Sequence, residues 1–552
     1  MDYKKLAEML YSTKLEIKDL ELRYPSRNLD SNSIVTRIAP SPTGFIHLGN
    51  LYNAIIGERL AHQSNGVFYL RIEDTDLKRE VKGAIPLIIK MMDHFDIRFD
   101  EGRLKDHYDF GDYGPYQQRE RKEIYHVFAK KLVELGYAYP CFASESYLNE
   151  IREVQRNNKE PIGCYGKYAK YRDLTIEEIK ERIDNGESYV LRFRADYQNV
   201  TKITVNDLIK GPLTFDSNIF DFVLLKSDGI PTYHFAHVVD DYLMRTTHVV
   251  RGEEWMSSLP FHINLFNALG LKIPFYCHTP LLMKYEDGIK RKLSKRKDKE
   301  FSLEYYLKEG YPKEVVWNYL LTVLNSNYEE WKAKNIEESY NSFKFSLNHL
   351  SRGGTLFDNE KLINISKEIL SHKSNSFIYE NLLDYTREYR PSYYELLITY
   401  KDRILDAINI GRLDKKVRKD IVSLNQACDF YKIYFDELLD NPLEFDIIPM
   451  ENSLKQKILT EFLEEFDYND TKDVFASKIN NIAVKNNFCT KMKEYQLDPS
   501  LYSGSIADIY ELLRVSITSR KNAPDIYDII RVIGNESLGI RVSKYLKLTN
   551  SK

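Results

Sequence analysis

Residues 34–50, IVTRIAPSPTGFIHLGN, decide the fold. The β-branched run from Ile34 to Ile38 reads as a short strand. Pro40 and Pro42 break it, Gly44 turns it, and His47-Leu48-Gly49 leads into LYNAIIGERLAH, a helix over about 49–63. Strand, rigid loop and helix make half of an open α/β site. Ligands in such sheets bind beyond the carboxyl ends of strands, near helix N-termini. Gly66 then opens VFYLRI, Val67 to Ile72, which is apolar on both faces as a buried parallel strand requires. It ends in Glu73-Asp74-Thr75-Asp76. A strand–helix–strand unit with polar residues just past each strand is the layout of a doubly wound nucleotide site.

Upstream, residues 1–33 are charged throughout and contain Pro25; they read as one or two short helices and a loop, a packing extension and not a signal peptide. A further helix is predicted near 84–95. From about 113 to 220 tyrosines are frequent, and a turn at Asp184-Asn185-Gly186 precedes the strand SYVLRFRA. This stretch reads as an insertion between two halves of the first domain. At 221 apolar strands return, in DFVLLK, the turn Ser227-Asp228-Gly229, PTYHFAHVVDD and THVVRGEEW. YCHTPLLMKY leads to a basic loop, Lys290 to Lys299, and beyond about 300 the pattern is helical, as in VVWNYLLTVL. The expected organisation is an extension (1–33), the two halves of a parallel-sheet domain (34–112 and 221–300), an inserted α+β domain (113–220) and two helical domains (301–375 and 376–552). The fold class is α/β: a Rossmann-like parallel-sheet domain with an insertion, followed by an all-α C-terminal region.

A chain of 552 residues is too long for one domain and suggests three to five. The net charge of −3 provides no global basic field, although a nucleic acid can still be held by local patches. The cysteines Cys141, Cys164, Cys277, Cys428 and Cys489 are scattered and form no Cys-x-x-Cys pair. Neither a disulfide framework nor a zinc site is expected, and a reducing cytoplasmic compartment is. No apolar run approaches the roughly 18 residues of a membrane span.

Four groups of residues carry chemistry. The loop with Pro40, Thr43, His47 and Gly49 can meet phosphate oxygens, and Gly49 allows an adenine or ribose close to the backbone. A histidine at a helix start is more often a cap or a surface group. Arg37, Glu73 and Arg251 each fall near a strand end. Two guanidiniums and a carboxylate complement a substrate with two carboxylates and an ammonium, which is the charge pattern of glutamate. The alternative is a buried ion-pair network. The run Lys290 to Lys297 can neutralise charge on a triphosphate, or be a solvated basic hairpin. Tyr233, His234, His237, Asp240 and Asp241 could line the pocket, and the two aspartates could equally cap a helix.

APSPTGFIHLG, RIEDTD, DGIPTYHFAHVVDD, HVVRGEEW and KLSKR occur in that order. Together they resemble the class I aminoacyl-tRNA synthetases, and within them the glutamyl-tRNA synthetase family. The resemblance covers roughly residues 34 to 365, including SRGGTLFD at 351–358, and chance recurrence of five ordered motifs is negligible. YPSRNL and GDYGPY are most similar to the longer bacterial forms. The resemblance implies catalytic roles for His47 and Lys295, and an ATP site of Thr43, His47, Gly49, Glu254, Trp255, Lys292, Ser294 and Lys295. It implies a glutamate pocket of Arg37, Ala39, Ser41, Glu73, Tyr233, His237 and Arg251, with Glu73 on the α-ammonium and Arg251 on the side-chain carboxylate. The implied reaction is glutamate plus ATP giving glutamyl-adenylate and diphosphate, then attack by the terminal adenosine of tRNA, first through its 2′-hydroxyl. Mg²⁺ on the triphosphate is implied, held mostly by phosphate and water. The insertion would grip the acceptor end of tRNA(Glu), and the helical region after about 375 would bind its anticodon. tRNA(Gln) is a second candidate acceptor, and such enzymes are usually monomeric.

Three positions depart from the family pattern. Asn50 stands where the first motif usually ends in His or Gly, His237 stands where some relatives carry Asn, and the clustered zinc cysteines of many bacterial relatives are missing. The nearest rival is the glutaminyl enzyme, which usually has Asp at the position of Glu73 and no arginine at that of Arg251. A buried arginine without a carboxylate partner would be costly, which favours glutamate. The long helical tail argues against the truncated relatives that glutamylate a modified tRNA base, and retention of His47 and Lys295 argues against a non-catalytic tRNA-binding paralogue.

Overall fold

The computed structural model describes all residues except 45, 105–107, 295, 413–416, 447 and 551–552. Two compact units are formed: Met1–Tyr305 with Val316–Asp358, and Tyr306–Val315 with Asn359–Lys552.

In the first unit the elements run α1 (Tyr3–Leu10), α2 (Ile17–Arg23), β1 (Val35–Ile38), α3 (Leu48–Gln63), β2 (Val67–Leu70), α4 (Ala84–His94), β3 (Glu101–Arg103), β4 (Asp109–Phe110), α5 (Lys122–Glu134) and β5 (Ala138–Cys141). They continue with α6 (Glu145–Asn157), α7 (Ile176–Asp184), β6 (Val190–Phe193), β7 (Lys202–Asp207), β8 (Gly211–Asp216), β9 (Val223–Leu225), α8 (Tyr233–Leu243), β10 (His248–Gly252), α9 (Leu259–Leu269), β11 (Phe275–Thr279), β12 (Leu282–Glu286) and β13 (Ile289–Lys292). β1, β2 and β3 are parallel neighbours, and β4 adds an antiparallel edge. β10 and β11 pair in parallel. The two groups meet where the Thr247 N–H donates to Val35 O at 3.0 Å and the Val35 N–H donates to Thr247 Oγ1 at 2.8 Å. β1 and β10 thus lie side by side although the chain passes through the whole insertion between them. Their carboxyl ends define the crevice in which an open α/β sheet binds ligands.

β1 is buried along its whole length, and α3 covers the sheet with Leu51, Ala54, Ile55 and Ile56, all inaccessible to solvent. At Gly57 a Cβ would approach Phe68 to 2.9 Å, so glycine lets this helix pack close to β2. In the N-terminal stretch, Leu6 and Ala7 share a core with Phe128 and Leu132 of α5 and Val238 and Val239 of α8. Arg27 fixes it to the sheet edge through two bonds to Glu101, at 2.7 and 2.9 Å.

β5 and β6 of the inserted stretch form an antiparallel sheet with β9, which lies just beyond it. The strand expected in DFVLLK therefore joins the sheet of SYVLRFRA and not the parallel one; pairing with β6 satisfies its backbone groups there. The β7–β8 hairpin docks on the β10–β11 parallel pair instead, with the Leu208 N–H donating to Tyr276 O at 2.9 Å.

Among the described residues, the second unit is helical from Asn359–His372 to Ile526–Asn550, apart from a two-residue strand pair at Phe488–Cys489 and Gly504–Ser505. Leu382, Ile404, Leu459, Leu512 and Ile529 form part of its fully buried core.

Candidate active site

The loop after β1 is shaped by main-chain bonds that its prolines leave possible. Proline lacks an N–H but keeps its carbonyl, and here Pro40 O accepts from the Glu73 N–H at 3.1 Å and Pro42 O from the Val81 N–H at 2.9 Å. The loop ends at His47, the N-cap of α3. The His47 N–H donates to Asn50 Oδ1 at 3.0 Å, so Asn50 serves the start of the helix through its acceptor. The His47 ring stacks on Phe301, centroids 4.5 Å apart and planes at 15°. A Cβ at Gly49 would come within 3.0 Å of His47 Nδ1, so glycine leaves the imidazole its place.

Two adjoining clefts open here. One of about 470 Å³ lies at the strand ends and is lined by Arg37, Ala39, Ser41, Thr43, His47, Glu73, Tyr233, Arg251, Glu254 and Trp255. The other, of about 300 Å³, shares His47, Asn53, Gly252, Glu254 and Phe301 with it and adds Gly49, Lys292 and Ser294. Among the site residues read from sequence, His237 lines neither, being fully buried behind the pocket, and Lys295 lies outside the described residues. A larger cleft of about 560 Å³ lies elsewhere, by Tyr11, His126 and Tyr189. Volume does not decide between them, because the strand-end charges converge only in the smaller clefts.

Those charges play three different parts. Arg37 pairs with Asp241, Nε to Oδ1 at 3.1 Å, and donates to Val250 O at 3.3 Å. Glu73 accepts from Arg71 at 3.0 Å, and Arg71 also binds Asp241 at 2.7 Å. Burial alone would raise the Asp241 pKa, but Arg37, Arg71 and His237 overcome it and hold the carboxyl well below its ordinary range. Burial pushes Glu73 upward against the pull of Arg71. Asp240 is occupied by Arg121 at 2.7 Å and Gln118 at 2.8 Å. Asp240 and Asp241 stand in the last turn of α8, so neither caps its start; they anchor arginines from other elements.

Arg251 differs from the others. It is only 5% exposed, and among the described residues no carboxylate lies within 4 Å of it. Its partners are neutral: His278 Nε2 at 3.0 Å, Tyr233 Oη at 3.2 Å, His262 Nδ1 at 3.3 Å and Trp255 O at 3.4 Å, with the Tyr276 ring 4.9 Å beneath. Burial, above all, lowers the pKa of His237 to about 3 and of His234 to about 4, and depresses His262 and His278 as well. This shell therefore stays neutral, and of the four guanidiniums here (Arg37, Arg71, Arg121, Arg251) Arg251 is the one with no carboxylate within 4 Å among the described residues. A carboxylate on a ligand would give Arg251 the partner it lacks.

The basic loop is held at its base. Arg291 makes a two-pronged pair with Asp298, at 2.6 and 2.8 Å, and the Ser294 N–H donates to Asp298 at 2.8 Å. Hydrogen bonding from Arg291 holds the Asp298 pKa down, at about 2. Asp298→Asn breaks the ion pair and frees the loop bearing Lys292 and Ser294. The expected result is a KM for ATP raised about tenfold with the KM for the amino acid unchanged, since small misplacements of positioning groups are costly. Steady-state titration of each substrate checks it.

A family model for the catalytic domain of the class I tRNA synthetases (E and Q) matches residues 33–364. The chain belongs to the class I tRNA synthetases of this E and Q group. It is 47% identical over 548 residues to a glutamate–tRNA ligase of Acetivibrio thermocellus, covering 99% of this chain and 100% of that one. It is 41% identical to one of Clostridium perfringens, with 99% and 100% covered. A crystal structure of a glutamate tRNA ligase from Elizabethkingia meningosepticum in complex with its amino acid matches with a TM-score of 0.72 and 27% identity, over 93% of this chain and 99% of that one.

The cleft is also built by residues outside the site sets that the motifs imply. Arg71 lies in VFYLRI, where an arginine in an otherwise apolar stretch is the signal for it. Asp298 follows the basic run directly. Nothing in the sequence pointed to Phe301, Asn53, His262, His278 or Asp207, which reach the site only through packing.

Proposed function

We infer that this chain is a glutamate–tRNA ligase, which activates L-glutamate with ATP and transfers it to the 3′-terminal adenosine of tRNA(Glu). The observation that carries the choice of amino acid is Arg251, a buried guanidinium surrounded by neutral partners beside a cleft. A carboxylate relieves its isolation, and a side-chain amide does not. In this reading Arg251 and Tyr233 receive the side-chain carboxylate, Glu73 receives the α-ammonium, and Arg37 with Ala39 and Ser41 closes the wall between them. Thr43, His47, Gly49, Glu254, Trp255, Lys292 and Ser294 face ATP, with Lys295 assigned to the same loop by its motif alone.

An oxygen of the α-carboxylate attacks the α-phosphorus, and the bond to the diphosphate oxygen breaks. A ribose hydroxyl of the terminal adenosine then attacks the acyl carbon, its proton leaves to solvent, and AMP departs. No protein nucleophile is required; the chain positions both reactants and neutralises phosphate charge. Mg²⁺ enters this reading with the triphosphate, held mostly by phosphate and water. The insertion is assigned to the acceptor end and the helical unit to the anticodon. A monomeric, cytoplasmic enzyme goes with this reading; the buried free thiols support a reducing compartment. No described helix is long and apolar enough to cross a membrane.

Charging of purified tRNA(Glu) and tRNA(Gln) with labelled glutamate or glutamine tests the proposal. Glutamate on tRNA(Glu) is expected, and the tRNA(Gln) arm reads out the second acceptor. Glutamine charging without glutamate charging sinks the choice of substrate; no charging with either sinks the enzyme reading.

A further inference from the structure

The strongest bond to Arg251 comes from a direction that the motifs do not describe. Its Nε donates to His278 Nε2 at 3.0 Å, whereas its terminal nitrogens make only the longer contacts, 3.2 to 3.4 Å, to Tyr233, His262 and Trp255. His278 can accept at Nε2 only if its proton sits on Nδ1. That nitrogen lies 2.7 Å from Asp207 Oδ2, and an ionised carboxylate there requires the Nδ1–H tautomer. Asp207 is itself fixed: it is 3% exposed, its Oδ2 also takes the His278 N–H at 3.0 Å, and its Oδ1 takes the Ile209 and Lys210 N–H groups at 2.9 and 2.8 Å. The His278 ring lies 5.7 Å from that of Tyr276 at 11°, in the same stack that underlies the guanidinium.

We propose that Asp207 and His278 form a positioning pair that clamps Arg251 by its Nε and leaves its two terminal nitrogens as a fork for the side-chain carboxylate of the amino acid. A guanidinium held at Nε cannot swing its edge away, so two parallel hydrogen bonds to a carboxylate become the preferred occupancy of the fork, and an amide can match only one of them. Asp207 belongs to the β7–β8 hairpin of the insertion. That hairpin is thus part of the amino-acid pocket from behind, as well as of whatever the insertion binds in front. This inference rests on the glutamate reading above.

The test is tRNA charging by the full-length chain and its His278→Phe variant, which keeps the ring and its stack but removes the acceptor. The KM for glutamate is expected to rise about 10- to 30-fold, as loss of a charge-assisted bond implies, while the KM for ATP and the kcat at saturating glutamate stay within about twofold. His278→Gln, which returns an acceptor toward Arg251, recovers most of the loss. If His278→Phe does not fold, Asp207→Asn carries the test, because an amide leaves the imidazole tautomer unset; it is expected to show the same selective rise. An unchanged glutamate KM, an equal change in the ATP KM, or no recovery in His278→Gln overturns the proposal alone. An unsubstituted chain that charges no glutamate overturns both this proposal and the reading it rests on.

Discussion

Arg251→Leu is expected to lower kcat/KM for glutamate by about 10³–10⁴, because sites built to pair one polar group reject what cannot complete the pair by such factors. The loss should fall on glutamate alone. Arg251 touches Tyr233, His262, His278 and Trp255, whereas the ATP side of the cleft is lined by His47, Gly49, Lys292 and Ser294. ATP affinity, read by equilibrium dialysis, should remain within about threefold, a change of under 1 kcal/mol. Arg251→Lys should recover little, since an ammonium cannot make the two-pronged contact or keep the clamp at Nε. The fold should survive both changes, because the guanidinium has no ion-pair partner to strand: its neighbours are neutral and hydrogen-bonded among themselves, as His262 is to His234 at 3.1 Å. A variant that charges glutamate at more than a tenth of the parent efficiency would remove Arg251 from the recognition of the side chain.

The second large effect concerns acid. His237, His262 and His278 are completely buried and have depressed pKa values, about 3 for His237. In the unfolded chain each returns to about 6.5. Below that value the unfolded state binds more protons than the folded one, so stability falls as pH falls. For His237 the contribution is fully present above about pH 6.5 and is lost progressively toward its folded value, at up to about 1.4 kcal/mol per pH unit, and His262 and His278 act in the same direction. Asp241, held well below its ordinary range, adds to the loss only at the acid end of this window. Glu73, pushed upward by burial, acts in the opposite direction, near the ordinary carboxylate range. The melting transition that abolishes charging should therefore move down steadily between pH 7 and pH 5, and His237→Asn should flatten the slope. A midpoint constant over that interval would show that the three rings are protonated in the folded state or hydrated on a short timescale.

Much of the site was legible because its information is local. Proline and glycine spacing marked the loop, a β-branched run marked β1, and the approach from a strand end into a helix marked where phosphate could sit. Secondary structure followed the hydrophobic period at α3, α4 and β2 within one or two residues. DFVLLK shows the limit. Its composition marks a strand, but a strand's partner is chosen by where the rest of the chain places an open edge, and β6 offered it.

The sequence alone determined the order of motifs, the identity of the ionisable groups near the strand ends and the family they imply. Of Arg37, Glu73 and Arg251 it could say only that glutamate or a buried ion-pair network would account for them. The tertiary structure divided them. Arg37 is neutralised by Asp241, 204 positions away in the chain, and Glu73 is bound by Arg71, whereas Arg251 has no acid beside it among the described residues. Charges pair through space at a few ångströms, and burial makes each pairing or its absence count for more. Which arginine is left for a substrate is therefore a property of the assembled sheet, and no reading of residue types along the chain contains it.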